Sequence, residues 1–248
     1  MISLHNHTHF SDGSWSVAEV LEAAAQAGLA VVGITDHFAT SKIPAVMAHE
    51  LEPYVNAVRS AARLYEGRMK VLVGVEIDSS PERTFFEAID WEAVGALDYV
   101  LFEYVGDELY SGMPLWELLE LRKKIACPVG LAHNDVARNF GHRGAEEMAA
   151  LFSSHKIFLE LNTSRAYSRL GMQFYRLWPE IFRMHVGQGG ILSIGTDTHA
   201  KLYSVGDIAD AEEFLASHGI SEAAWYWLGP SARERKGYNR EMIKEARR

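Results

Sequence analysis

The sequence predicts a single α/β domain in which seven strand–helix units close, or nearly close, into a barrel. Short apolar runs alternate regularly with longer stretches of helical periodicity, which is the pattern of βα units around a parallel sheet. Several runs are apolar at nearly every position, as strands covered on both faces should be. Seven units in 248 residues suit a barrel better than an open doubly wound sheet. No glycine-rich phosphate-binding loop follows the early strands, which also disfavours the open sheet.

Apolar runs mark the seven predicted strands, at residues 2–5, 30–35, 71–76, 98–103, 128–132, 156–161 and 190–195. The first helix follows the first run, because Ser16 and Glu19 have the spacing of a capping box and Gly28 provides a C-terminal stop. Its apolar face consists of Val17, Val20, Leu21 and Ala24. The last helix is predicted to start from an N-cap at Asp207 and to end at Gly219.

Composition excludes several classes of protein. Lys and Arg number 24 against 33 Asp and Glu, a formal charge of −9, so the surface lacks the positive field that carries non-specific nucleic-acid binding. Cys127 is the single cysteine, which excludes an internal disulfide and a thiolate zinc cluster. The longest apolar stretch, residues 27–34, is too short to cross a bilayer, and the N-terminus has no secretory signal. We therefore expect a cytoplasmic protein without membrane association.

The chain is predicted to form one domain with a short extension. Residues 1–223 hold the barrel, and no linker or low-complexity segment interrupts the alternation. Residues 224–248 start with the aromatic stretch AWYWLGP and continue with seven Lys or Arg against three Glu from Arg233 to Arg248. We expect this aromatic and basic extension to pack on the barrel, to extend from it or to form a subunit contact. The oligomeric state stays open.

Polar side chains follow every predicted strand at its C-terminal end, where barrel enzymes place their reactive groups. In chain order these are His5, His7, Asp12, Asp36, His37, Glu76, Glu103, His133, Asn162, Asp197 and His199. Five of the eleven histidines fall in these short windows. Imidazoles and carboxylates that converge from separate strands are what a metal site requires, and without cysteine they suit zinc, manganese or iron. The sequence therefore predicts a multinuclear metal centre at one rim of the barrel.

Six motifs, in order along the chain, carry a family resemblance: LHNHTHFSDG from Leu4, ITDH, GVE, AHN, LELNTS and GTDTH ending at His199. With them the chain resembles the polymerase-and-histidinol-phosphatase (PHP) family of metal-dependent phosphoesterases, and its later segment VGDIADAEEFLASHGI is similar to the histidinol-phosphatase-like branch. The resemblance implies a distorted (β/α)7, TIM-like barrel with two or three divalent ions, two of them bridged by the glutamate. The metal ligands that it implies are His5, His7, Asp12, His37, Glu76, His133, Asp197 and His199.

The segment after the fourth strand departs from the family pattern. The family has a further ligand there, usually a histidine, whereas this chain reads LFEYVGDE. Either Glu103 supplies an oxygen ligand instead or the position is vacant. The sequence therefore leaves open whether two or three ions bind and which ion is preferred.

Clustered divalent ions predict hydrolysis of a phosphate ester by a metal-activated hydroxide. We expect Asp197, besides binding metal, to relay a proton to the leaving alkoxide. Arg165 and Arg169 lie on the loop after the sixth strand, where a guanidinium can hold the phosphate by paired hydrogen bonds. The expected substrate is a small phosphomonoester, histidinol phosphate or a related compound, because the chain is one compact domain.

Three other functions stay open at this point. One is a phosphodiesterase or 3′-exonuclease on nucleotides or DNA ends, which the acidic surface disfavours without excluding. Another is hydrolysis of amides or rings on a related barrel, which also uses a histidine pair and a late aspartate. The third is a non-catalytic metal-binding module, which the absent histidine after the fourth strand favours.

Overall fold

The centre of the fold is a sheet of seven parallel strands, in a computed structural model that describes residues 1–229. Around the sheet the strands are β1 (Ile2–Ser3), β2 (Val31–Ile34), β3 (Lys70–Asp78), β4 (Tyr99–Glu103), β5 (Val129–Leu131), β6 (Ile157–Asn162) and β9 (Leu192–Gly195). The sheet closes on itself, because the Leu4 N–H donates to the Ile194 carbonyl at 2.7 Å and a parallel bridge pairs Asn6 with Thr198. The predicted seven-stranded barrel is confirmed.

All seven predicted strands are present, although their bounds differ from the apolar runs. Only two residues of the first run, Ile2 and Ser3, pair with β2. In contrast, β3 extends beyond its predicted end to Asp78, which pairs with Glu103 of β4. The loop after β6 contains a small antiparallel hairpin that was not predicted, β7 (Ser168–Arg169) with β8 (Met172–Gln173). Each of its strands has two residues, too few for a pattern of alternation to show.

Helices connect successive strands: α1 (Val17–Gln26), α2 (Leu51–Ala62), α3 (Trp91–Gly95), α4 (Leu115–Arg122), α5 (Val136–Phe140), α6 (Ala145–Ser154), α7 (Pro179–Gly187) and α8 (Ala209–Ser217). The capping box of Ser16 and Glu19 at the start of α1 is confirmed, as is the buried apolar face. The predicted N-cap at Asp207 is wrong, because Ile208 occupies that position. The Asp207 N–H donates instead to the Ser204 carbonyl at 2.9 Å, which closes a preceding 3-10 turn.

Large aromatic rings fill the amino-terminal end of the barrel. The Tyr99 ring lies against two glycines of neighbouring strands, and a Cβ on Gly33 would lie 1.9 Å from its hydroxyl oxygen. Phe158 and Trp227 pack edge-on with ring centroids 5.1 Å apart. The Trp227 indole N–H donates to the Leu192 carbonyl at 2.8 Å. Because side chains fill this end, the opposite rim is the end where a site can form.

Trp227 of the aromatic stretch belongs to a 3-10 helix, Ser221–Leu228, and its buried side chain packs on the bottom of the barrel. The basic segment from Arg233 to Arg248 lies outside the described residues, and the boundary expected at residue 223 stays a prediction. Within residues 1–229 no helix is both long and apolar enough to cross a bilayer. The cytoplasmic location stays a prediction as well.

His185 of α7 is a fully buried histidine away from the rim. Its Nε2–H donates to the Ile191 carbonyl at 3.3 Å, and its Nδ1 accepts from the Ser153 hydroxyl at 2.9 Å. Burial lowers the pKa of this imidazole from 6.5 to about 4. Below pH 6.5 the unfolded chain binds a proton here that the folded chain binds only near pH 4. The contribution of His185 to the free energy of unfolding is therefore complete above pH 6.5 and is lost as the pH falls from 6.5 to about 4.

Replacing His185→Gln is expected to remove this acid-sensitive contribution. Between about pH 7.5 and about pH 4.5, the unmodified protein should lose about 2–3 kcal/mol more free energy of unfolding than the variant, because one pKa unit corresponds to about 1.4 kcal/mol. Urea unfolding at both pH values measures the two losses, and their difference cancels the acid response of the other groups. Equal losses in the two proteins would contradict the prediction.

Candidate metal centre

The carboxyl ends of the strands deliver the predicted polar side chains to one rim of the barrel. Asp78 lies opposite Glu103 in the register of β3 and β4, and a parallel bridge pairs His37 with Glu76. Neighbouring strands therefore end at about the same height. The predicted metal ligands all lie in one cluster: His5, His7, Asp12, His37, Glu76, Glu103, His133, Asp197 and His199.

The Glu76 carboxylate of β3 is at the centre of this cluster. Its Oε2 lies 3.3 Å from His5 Nε2, 3.4 Å from His7 Nε2 and 3.2 Å from His37 Nδ1. Its Oε1 lies 2.9 Å from His133 Nε2. Imidazoles that follow β1, β2 and β5 therefore surround one buried carboxylate.

Two aspartates bring oxygen donors to the side of the cluster formed by β1 and β9. Asp197 Oδ1 lies 3.0 Å from His7 Nε2 and 3.4 Å from His5 Nε2. Asp12 Oδ1 lies 3.2 Å from His199 Nε2 and 3.7 Å from His7 Nδ1. Because the two nitrogens of His7 face different carboxylates, the donors are spread over a volume larger than one ion requires.

Divalent cations fit this cluster. Three groups bring their donor atoms within 4.8 Å of one another: His7, Asp12, His37 and His199; His5, His7 and Glu76; and His37, Glu76 and Glu103. His37 Nδ1, Glu76 Oε2 and Asp197 Oδ1 are buried and have no hydrogen-bond partner among the described residues. A buried polar atom without a partner is costly, and a bound cation would satisfy these atoms. The mixture of imidazole and carboxylate suits zinc, manganese or iron.

The cluster also concentrates negative charge where water is excluded. Burial raises the pKa of the Glu76 carboxyl, but the charges of His5 and His37 outweigh it and hold that pKa well below the ordinary value. Burial lowers the pKa of His5, but the Glu76, Glu160 and Asp197 carboxylates outweigh it and raise that pKa well above 6.5. Protons and divalent cations therefore compete for the same imidazoles.

Two of these residues have left-handed backbone conformations shortly after their strands. His133 has a φ of 31° and Asp197 a φ of 48°. Residues other than glycine adopt positive φ rarely, at a cost of about 1–3 kcal/mol each, and they gather at functional sites. The tight turn after β5 and after β9 thus directs a side chain into the centre.

Asp36 supports the loop that follows His7. Its carboxylate accepts hydrogen bonds from the Thr8 N–H at 2.7 Å, from the Thr8 hydroxyl at 2.8 Å and from the Ser11 hydroxyl at 2.7 Å. Gly13 allows this loop to turn tightly, because a Cβ there would lie 2.5 Å from the His7 carbonyl carbon. Asp36 therefore positions donors of the cluster through the backbone.

Glu160 is a residue of the site that the sequence analysis missed. It lies inside β6, in the otherwise apolar run KIFLEL. Its Oε1 lies 2.9 Å from His5 Nδ1, and its Oε2 accepts the His133 N–H at 2.6 Å. Gly195 leaves room for it, because a Cβ there would lie 1.8 Å from Glu160 Oε1. The available signal was a glutamate in the middle of a strand covered on both faces, since a buried carboxylate needs partners.

Tyr167 is a second residue that sequence patterns did not indicate. Its ring lies flat on the His133 imidazole, with centroids 3.7 Å apart and planes 3° from parallel. Together with Tyr104 and Tyr110 it lines a pocket of about 150 Å³ beside that histidine. The stack fixes the orientation of the imidazole, and nothing in the loop sequence distinguishes this tyrosine from an exposed one.

A cleft of about 470 Å³ opens beside Asp197 and His199. Loops after β6 and β9 line it, and its cationic side chains are Arg165 and Lys201. Arg165 is exposed, and its guanidinium has no hydrogen bond or ion pair with the described residues. The structure thus places this predicted substrate residue in a cavity continuous with the metal centre.

Arg169, the other predicted substrate residue, is held in an ion pair. Its Nε donates to Asp135 Oδ2 at 2.7 Å and its Nη2 to Oδ1 at 3.3 Å. Asp135 in turn caps α5, where it accepts the Arg138 N–H at 3.0 Å. Arg169 therefore joins the loop after β6 to α5, and its contact with substrate stays a prediction.

Comparison with known proteins gives a family match over most of the barrel. Residues 3–164 match the family model of the PHP domain. The DNA polymerase/3′-5′ exonuclease PolX of Bacillus subtilis (strain 168) is 29% identical over 208 residues, which cover 79% of this chain and 34% of PolX. The chain thus spans about a third of the length of that curated relative.

Solved structures share the barrel at low sequence identity. The histidinol phosphate phosphatase HisK of Lactococcus lactis, complexed with zinc, L-histidinol and phosphate, has a TM-score of 0.64 at 19% identity, covering 88% of this chain and 94% of HisK. A putative histidinol phosphatase of Listeria monocytogenes has a TM-score of 0.61 at 15% identity, covering 86% and 99%. The metal-dependent tyrosine phosphatases YwqE of Bacillus subtilis and CpsB of Streptococcus pneumoniae give 0.58 at 16%, covering 92% and 91%. At these identities the likeness concerns the fold.

Proposed function

The chain belongs to the PHP domain family, and from this premise we propose that it is a metal-dependent phosphoesterase that hydrolyses a small phosphomonoester. The observation that carries the proposal is the Glu76 carboxylate, which is buried among imidazoles and has one oxygen without a hydrogen-bond partner in residues 1–229. Similar structures support it, since HisK was solved with zinc, L-histidinol and phosphate, and YwqE and CpsB are described as metal-dependent phosphatases.

The donor groups in and around the Glu76 cluster would hold zinc, manganese or iron ions. Bound there, such ions lower the pKa of water and neutralise charge that develops on phosphoryl oxygens. The protein contributes the fixed geometry: Glu160 orients His5, Tyr167 orients His133, and Asp36 anchors the loop after β1. Donors that are already in place need no reorganisation when the substrate arrives, which favours the transition state.

Asp197 holds metal as a carboxylate in this proposal. Burial raises the pKa of its carboxyl, but the charges of His5 and His7 outweigh it and hold that pKa well below the ordinary value. An ionised carboxylate accepts a proton before it can donate one. The relay of a proton to the leaving alkoxide therefore stays a prediction, and it requires that Asp197 first receive that proton from the attacking water.

The size and charge of the cleft favour a small substrate. Its volume of about 470 Å³ is in the range of small-molecule sites. Arg165 and Lys201 place positive charge at its edge, whereas the chain as a whole carries −9. A duplex requires a broad basic surface, whereas one phosphate group requires a few convergent cations. Histidinol phosphate is one candidate among small phosphomonoesters.

An ester panel tests the proposal. Protein loaded separately with zinc, manganese and iron should release phosphate from p-nitrophenyl phosphate and from histidinol phosphate, and much more slowly from bis(p-nitrophenyl) phosphate. Chelation should abolish the release and metal should restore it. Full metal occupancy without turnover of any ester would favour the non-catalytic module, and activity on amides or lactams alone would favour the amide-hydrolysing alternative.

The 29% identity with PolX favours a second candidate, a 3′-exonuclease or phosphodiesterase. Both candidate functions would use the same metal centre, but in the exonuclease the cleft would hold the 3′ end of a nucleic acid instead of a small phosphomonoester. A 3′-labelled single strand and a 3′-labelled duplex distinguish it from the phosphomonoesterase. Removal of 3′ nucleotides at a higher kcat/KM than that for p-nitrophenyl phosphate would establish the exonuclease as the main activity.

Replacing Arg165→Met is expected to lower kcat/KM for a phosphomonoester by about ten- to a hundredfold, because hydrogen bonds to charged groups contribute about 1.5–3 kcal/mol. Initial-rate kinetics at saturating metal measure the effect. The metal content should stay unchanged, because Arg165 contacts none of the donor groups.

Arg169→Met provides the comparison for that prediction. The guanidinium of Arg169 is already paired with Asp135, so its loss should change kcat/KM less than the loss of Arg165 does. A larger effect at Arg169 would mean that substrate displaces Asp135 from it. The assignment of the two arginines would then be reversed.

A further inference from the structure

Glu103, at the end of β4, is a buried carboxylate in the place where the resembled family has a histidine ligand. Its side chain is 1% exposed. Its Oε1 lies 3.8 Å from His37 Nδ1, and its Oε2 lies 4.0 Å from His133 Nε2. Donors of one metal ion are typically about 2 Å from it, so atoms this far apart are within reach of a shared ion. Glu103 is therefore near enough to serve as a ligand of a third cation.

Lys42 already supplies a cation at this carboxylate. Its Nζ donates to Glu103 Oε1 at 3.0 Å, to Glu103 Oε2 at 3.1 Å and to the Tyr104 hydroxyl at 2.7 Å. An ammonium group has three donors, and these contacts use all of them. The same Nζ lies 4.5 Å from the centroid of the Tyr104 ring. Each N–H of the Lys42 ammonium therefore has an acceptor, which is uncommon for a lysine on the protein surface.

The loop after β2 fixes the position of Lys42. The Lys42 N–H donates to the Thr40 hydroxyl at 3.2 Å, and the Ser41 N–H donates to the Arg83 carbonyl at 2.8 Å. An antiparallel bridge joins Thr40 to Thr84. The side chain therefore reaches the rim from an anchored backbone, and it retains 27% exposure on the solvent side.

Charge gives Glu103 a reason to require a cation. The Glu103 and Glu76 side chains are each 1% exposed, and both carboxylates lie within 3.8 Å of His37 Nδ1. Two buried carboxylates in one site repel each other unless positive charge lies beside them. Either a divalent ion or a lysine ammonium meets that need, and the two would compete for the same oxygens.

We propose that Lys42 replaces the third metal ion of the centre: by occupying Glu103 it prevents the His37, Glu76 and Glu103 group from binding an ion, so that the chain holds two ions. The inference rests on the metal centre of the proposed function. The Lys42 ammonium supplies one positive charge where an ion would supply two, and unlike an ion it stays in place when metal is removed. The absent histidine after β4 and the presence of Lys42 are then parts of one substitution.

Metal counting tests this inference without reference to catalysis. The complete protein is equilibrated with excess manganese, freed of unbound ion by gel filtration and measured by inductively coupled plasma mass spectrometry. We expect two ions per chain in the unmodified protein, three in Lys42→Met and two in Lys42→Arg, which keeps the cation. The double variant Lys42→Met with Glu103→Gln should return to two, because the extra ion needs the Glu103 carboxylate.

Lys123→Met is the matched control, because Lys123 also pairs with a glutamate, Glu120, but on an exposed surface. It should hold two ions. Three ions in the unmodified protein, or two in folded Lys42→Met, would overturn the inference. If Lys42→Met does not fold, Glu103→Gln alone distinguishes the cases: an unchanged count of two supports the lysine, and a lost ion identifies Glu103 as a ligand and overturns it.

The same measurements separate this inference from the proposed function. A protein that binds no metal would contradict both the proposed function and the role of Lys42. The unmodified protein could instead hold two ions and Lys42→Met three, with no turnover of any phosphate ester. That result would contradict the phosphoesterase function and support the role of Lys42.

Discussion

Replacing His5 and His7 together with alanine is expected to abolish metal uptake and to lower phosphoesterase activity by at least about a thousandfold. Both imidazoles lie within 3.4 Å of Glu76 Oε2 and of Asp197 Oδ1, so the double change removes nitrogen donors from two of the three donor groups. Metal ions contribute several kcal/mol of transition-state stabilisation, and about 1.4 kcal/mol is a factor of ten in rate. Elemental analysis and phosphate release measure the two losses.

His9→Ala is the control for that double variant. His9 lies two residues beyond His7 on the same loop but is exposed, and it belongs to none of the donor groups among the described residues. It should keep both metal and activity. If the protein that lacks His5 and His7 still hydrolysed esters in metal-depleted buffer, the metal-dependent mechanism would be wrong.

Replacing Glu160→Gln is expected to weaken metal binding by about ten- to a hundredfold, the usual cost of losing a group that orients a ligand. The Glu160 carboxylate faces His5 Nδ1 with one oxygen and the His133 N–H with the other. An amide of the same shape has one acceptor and one donor, so one of these hydrogen bonds is lost. Titration of the metal-free protein against a competing chelator measures the change in affinity.

A second route to the same carboxylate checks this prediction. Gly195→Ala would place a Cβ 1.8 Å from Glu160 Oε1 and 2.7 Å from His5 Cβ, so Glu160 must move. The Gly195→Ala variant should therefore also bind metal more weakly than the unmodified protein. Glu120→Gln, on the surface, should leave the metal affinity unchanged. An unchanged affinity in both Glu160→Gln and Gly195→Ala would mean that Glu160 only fills space.

Much of the fold was predictable because its signals are local or periodic. The seven apolar runs, the capping box at Ser16 and the order of the strands follow from short stretches of sequence. The prediction that failed depended on a competing contact. Asp207 is a residue type that often forms an N-cap, but its N–H closes the preceding 3-10 turn, and Ile208 is the N-cap instead. The hairpin after β6 was missed because two-residue strands carry no pattern.

The convergence of the site was also predictable, because every strand of a parallel barrel ends at the same rim. Any side chain that follows a strand is then a candidate, which was enough to predict that His5, Glu76, His133 and Asp197 lie close together. Residues that act from inside a strand or from the body of a long loop give no such signal. Glu160, Tyr167 and Lys42 belong to this second kind.

The sequence by itself determined the barrel, the rim and the chemical type of the donors, since these depend on periodicity, on strand ends and on residue identity. Only the tertiary structure placed Glu160 behind His5, paired Arg169 with Asp135 and brought Lys42 to Glu103, 61 positions away along the chain. The physical reason is that hydrogen bonds and ion pairs act over about 3 Å in space. Which groups come that close is set by the closed backbone and not by their spacing in the sequence.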